Sequence, residues 1–74
     1  MIVLTPDRPE PEKYLGGIAF GKTIRARRIG AGLTLRRCAE RLGLSMHALS
    51  SIEQGQERMK PADFEAFNEV VAAR

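Results

Sequence analysis

From Ala19 onward, apolar positions recur at helical spacing. Phe20, Ile24 and Arg28 form one i, i+4 row, which predicts a helix from about Ala19 to Ile29, ended by Gly30 and Gly32. Leu35, Cys38, Ala39 and Leu42 fall at i, i+3, i+4 and i+7, an apolar stripe over two turns of a second helix. Thr34 stands just before it as an N-cap, and Gly43 stops it at a left-handed turn. Ser45 then caps a third helix only two residues later. Its inner face is Leu49 and Ile52, and Gln54 and Gly55 end it. After the loop GQERMKP, Pro61 suits the first turn of a last helix whose apolar side is Phe64, Phe67 and Val71.

Ahead of these elements the pattern breaks down. Pro6, Pro9 and Pro11 keep residues 5–12 extended or turn-like. Ile2, Val3 and Leu4 suit a short strand, but it has no partner strand within the chain. Gly16 and Gly17 close this arm. The expected architecture is all-α: a compact four-helix domain over residues 18–74, preceded by an extended N-terminal arm over residues 1–17.

Composition narrows the function classes. A chain of 74 residues makes one small domain with a modest core. One cysteine rules out an intramolecular disulfide, and one cysteine with one histidine leaves no zinc site of the usual ligands. No apolar run approaches the ~18 residues of a membrane span. The start MIVLTPDRPEPEKY lacks the basic n-region of a secretory signal, so a reduced, cytoplasmic setting is expected.

Net charge is +3, but it is unevenly spread. Residues 18–44 hold Lys22, Arg25, Arg27, Arg28, Arg36, Arg37 and Arg41 against Glu40 alone, a local +6. The flanking stretches are slightly acidic. Such a block favours an anionic partner, most commonly nucleic acid; its alternative is a solvated basic face.

Two helices of about eight residues joined by three, with a glycine opening the turn, form a helix-turn-helix pattern. Ala39 falls where the helices cross, so a larger side chain would push them apart. Leu44 tucks under the turn, while Leu49 and Ile52 hold the third helix to the core. The N-terminal end of that helix is left projecting, where it can enter a major groove.

Over roughly Phe20–Val71 the chain resembles the phage repressor and Cro-type helix-turn-helix domains, also called the xenobiotic-response-element family. The segments IRARRIGAGLTLRRCAERLGLS and ALSSIEQG carry the likeness. It implies a repressor-like domain that binds double-stranded DNA without a cofactor. Base contacts would come from Met46, His47, Ser50 and Ser51. His47 donates or accepts, and Met46 suits a thymine methyl. The resemblance also departs from pattern: no arginine, asparagine or glutamine opens the third helix, and its only amide, Gln54, lies near the far end. Shape or water-mediated readout gains weight accordingly. Other readings remain open, with Met46 as a partly buried cap contact and Ser50 and Ser51 as plain surface.

Phosphate contacts implied by the resemblance fall on Thr34 at the head of the second helix and on Arg58 and Lys60 in the loop after the third. Arg36 and Arg37 follow Thr34 in the first helical turn, where the helix dipole disfavours cations, so another partner is expected to hold them. Arg37 also has Arg41 one turn on, as in a solvated face. Arg28 and Glu53 match a structural ion pair that fixes an interhelical angle. Relatives often dimerise through a fifth helix. Here the expected substitutes are Phe67 and Val71, with Phe64 and Val70, on the last helix, or Ile2, Val3 and Leu4 pairing as a two-stranded ribbon.

No catalytic constellation is present, so no enzyme and no small-molecule substrate are expected. GGIAFGKT satisfies the phosphate-loop pattern literally, but a phosphate loop needs a preceding strand and a βαβ unit, which a helical chain of this length lacks. Two functions of different class remain. One is a DNA-binding transcriptional regulator, most simply an autoregulatory repressor acting as a homodimer on a palindromic operator. The other is an antitoxin-like or anti-repressor-like module that uses the same scaffold to bind a protein partner.

Overall fold

The computed structural model describes residues 15–73. Within them lie α1 (Ile18–Gly30), α2 (Leu35–Leu42), α3 (Met46–Glu53) and α4 (Pro61–Ala73), with no strand. The expected arm pairing through Ile2, Val3 and Leu4 lies outside the described residues.

The boundaries follow from local hydrogen bonding. Thr34 caps α2, its Oγ1 accepting from the Arg37 N–H at 3.0 Å, and Ser45 caps α3, its Oγ accepting from the Ala48 N–H at 3.0 Å. α2 ends in a glycine-centred closure: the Leu44 N–H donates to the Ala39 carbonyl (2.9 Å) and the Gly43 N–H to Glu40 (3.2 Å), with Gly43 at φ 74°. α3 repeats it, with Gln56 donating to Ser51 (2.9 Å) and Gly55 to Ile52 (3.1 Å). The same pair of bonds closes α1 through Gly32 and Leu33.

α3 is packed by both α1 and α2, and α4 closes over α2. Ile24, Cys38, Ala39, Leu49, Ile52 and Phe67 fill the core. Each large one contributes about 1.5–3 kcal/mol relative to staying in water. Phe20 and Phe64 meet at 5.6 Å in a tilted ring contact that joins α1 to α4.

Three features depart from the sequence-based expectation. Leu15 is buried, and its carbonyl accepts from the Met59 N–H at 2.8 Å, so the packed unit starts before residue 18. Met59, in the stretch expected to be only a loop, is 2% exposed. Phe67, expected at a dimer surface, is fully buried, and the Arg27 guanidinium covers its ring at 5.2 Å. A ring enclosed by its own chain has no area left to offer a second copy. Val71 is half-buried and packs against the same core.

Candidate nucleic-acid interface

What fixes α3 is its buried side. Arg28 Nε donates to Glu53 Oε2 at 2.6 Å and Nη2 to Oε1 at 3.1 Å, while Nη1 donates to the Leu33 carbonyl at 2.9 Å. The fork thus ties the end of α3 to α1 and to the turn after α1. Glu53 holds the Arg28 guanidinium above its ordinary pKa through this hydrogen bond, against the opposing effect of burial. Gly21 makes the same crossing tight: a Cβ built there would collide with the Glu53 carbonyl and come within 2.6 Å of the Ile52 carbonyl. Nothing in the hydrophobic pattern marked Gly21 as a contact point. Its signal was a lone glycine inside a helical pattern.

With that side locked, the opposite side of α3 faces out. Met46 is 47% exposed and stands at the surface. His47 is exposed and Ser50 half-buried. Ser51 is a correction: at 9% exposed it lies on the packed side of the helix, where its hydroxyl cannot reach a base edge. Ser50 and Ser51 are separated by one helical step of about 100°, enough to put one outside and the other inside.

The cations sort by what already occupies them. Arg28 is spent on Glu53 and Arg27 on Phe67. Arg36 Nε stands 3.8 Å from Glu40 Oε2, both side chains well exposed, a pair of the kind that contributes little. Glu40 thus offsets part of the unfavourable placement of Arg36 at the head of α2. Lys22, Arg25, Arg37, Arg41, Arg58 and Lys60 are exposed and have no ion-pair partner among the described residues. Thr34 is also exposed beside its cap. Exposed cations therefore flank α3 in sequence, at the head of α2 and in the loop that follows α3.

A helix of eight residues, capped by Ser45, follows a glycine-closed helix of eight and is buried on one side and open on the other. A family model described as a helix-turn-helix domain matches residues 19–73. The chain belongs to the helix-turn-helix domain family. A comparison with curated proteins finds no match.

In GGIAFGKT, Gly21 is buried mid-helix against α3, and the Thr23 hydroxyl donates to the Ala19 carbonyl at 3.1 Å. A shallow cleft of about 340 Å³ runs along Gly16, Gly17 and Gly55–Arg58 at the head of α1. Cys38 is buried, and burial pushes its thiol pKa up, away from the thiolate a nucleophile needs. Among the described residues no cluster of three metal-ligating side chains occurs, and no helix is long and apolar enough to cross a membrane.

Proposed function

We propose that this protein is a sequence-specific DNA-binding transcriptional regulator, most simply a cytoplasmic, autoregulatory repressor that acts as a homodimer on a palindromic operator. The observation that carries the reading is the division of α3: its inner side is held by the Arg28–Glu53 fork and the Gly21 crossing, while Met46, His47 and Ser50 stand open at its outer side. A recognition helix needs this combination, because base contacts demand that the helix hold its position while only its outer side enters the groove. Thr34, Arg36, Arg37, Arg58 and Lys60 supply the phosphate grip, with Met46, His47 and Ser50 against base edges. No step of catalysis is assigned to any of these residues. Two-fold pairing would place two α3 helices on half-sites about 34 Å apart.

Selection of bound duplexes from a random library, repeated across a salt series, tests this directly. A two-fold palindrome supports the proposal; binding without enriched sequence reduces it to a phosphate grip. A second reading, an antitoxin-like or anti-repressor-like module that docks a protein partner, draws on the apolar Met46 at the open end of α3 and on the absence of a bidentate base reader in its first turn. No binding to any duplex at low salt would favour it.

A further inference from the structure

Gln54 follows the last residue of α3 but keeps a helical backbone (φ −89°, ψ 0°), and its N–H donates to the Ser50 carbonyl at 3.0 Å. It therefore extends the outer side of the helix by one residue. With about 100° per residue, Met46, Ser50, Gln54 and His47 fall within one arc of about 100°, running roughly 12 Å along the axis. On this arc the Gln54 side chain is bonded to its neighbour: Nε2 donates to Ser50 Oγ at 2.9 Å.

That bond changes what Ser50 can present. A free serine hydroxyl donates or accepts and discriminates little between bases. Here one acceptor lone pair of Ser50 Oγ is filled by Gln54. The usual local acceptor for a helical hydroxyl is the carbonyl four residues back, as Thr23 uses. No such bond consumes the Ser50 hydrogen among the described residues. Ser50 is thus biased towards donating outward. The second Nε2 hydrogen of Gln54 is a further donor one turn along.

We propose that Ser50 and Gln54 form one recognition unit, in which Gln54 orients the Ser50 hydroxyl as a donor and the pair selects guanine at a single base pair of the operator. Guanine is the base whose major-groove edge offers two acceptors, N7 and O6, with no donor. Adenine presents a donor beside its N7, cytosine presents a donor, and thymine offers one acceptor beside a methyl group. The inference rests on the DNA-binding reading above, and assigns a role to Gln54 that the spacing of the helix alone did not.

The test is duplex selection and sequencing with the full chain and with Ser50→Ala, Gln54→Ala and the double variant, each confirmed folded by its thermal transition. The unvaried chain should prefer guanine at one position by roughly tenfold. Both single variants should lower that preference to under about threefold at the same base pair, and the double variant should go no further. An A·T pair enriched in place of G·C would overturn the assignment, because neither adenine nor thymine offers two acceptors without a donor or a methyl group beside them. So would a Gln54→Ala variant that keeps the preference or alters a different base pair, and so would duplex binding with no enriched base. Failure of the unvaried chain to bind any duplex would instead remove the DNA-binding reading on which the unit depends, and the unit with it.

Discussion

Gly21 faces the backbone carbonyl of Glu53 with no room for a methyl group between them. The neighbour is backbone in the last turn of α3, so it cannot swing aside as a side chain would. Gly21→Ala should therefore destabilise by about 2 kcal/mol, the overpacking cost exceeding the gain in helix propensity. For a domain of this size that corresponds to a drop of roughly 10 °C in Tm. Gly30→Ala is the control: a Cβ there meets nothing within 4 Å, and the change should be neutral or stabilise by about 0.5 kcal/mol. Thermal melts of the two variants that shift the same way would refute the crossing.

The Arg28–Glu53 pair makes a second prediction. Arg28→Ala leaves the Glu53 carboxylate buried without its fork, and should cost about 3 kcal/mol in chemical denaturation. Arg28→Lys should recover little, since an ammonium cannot span both carboxylate oxygens and the Leu33 carbonyl. Arg28→Met combined with Glu53→Leu should recover most of the loss, because no charge then remains buried.

Cys38 reports on the integrity of the core. Burial favours its neutral thiol, so its folded pKa lies above the unfolded one. The linked stability is complete below the ordinary thiol pKa and is lost as pH rises through the raised folded value. At pH 8 the native protein should react with a thiol reagent more than about 100-fold more slowly than the denatured chain. A comparable rate in both states would contradict a buried Cys38.

Cations that touch phosphate and cations that hold the fold should separate by salt dependence. Replacing Arg37, Arg58 or Lys60 by alanine should lower the slope of log affinity against log salt by about 0.9 each, with little change in Tm. Arg27→Ala should do the reverse. It uncovers the Phe67 ring, costs about 0.5–1 kcal/mol of stability, and leaves the slope unchanged. Slopes measured for all four variants decide whether the exposed cations form the grip.

Helix spans, caps and stops were readable in the sequence because they depend on partners within a few residues. Thr34 and Ser45 reach N–H groups three positions on, and Gly43 and Gly55 close their helices through carbonyls of the preceding turn. The apolar stripe of α2 and the Arg28–Glu53 positions were equally legible, the latter through family resemblance. The family resemblance assigned Ser50 and Ser51 alike to base contact, whereas the fold buries Ser51 on the packed side of α3. It offered Phe67 to a dimer, although Arg27 and the core enclose it. The sequence put Met59 in a loop, as the structure does, but showed neither that Met59 and Leu15 are buried nor that they join through one backbone hydrogen bond, 44 positions apart in the chain. Gly21, in a phosphate-loop match that the helical pattern already ruled out, gained its role only when α3 was laid across it. The sequence by itself determined which segments are helical and where each one stops. Only the tertiary structure decided which side of each helix is spent on the core and which cations remain for a partner, because those depend on contacts between segments that no local spacing encodes.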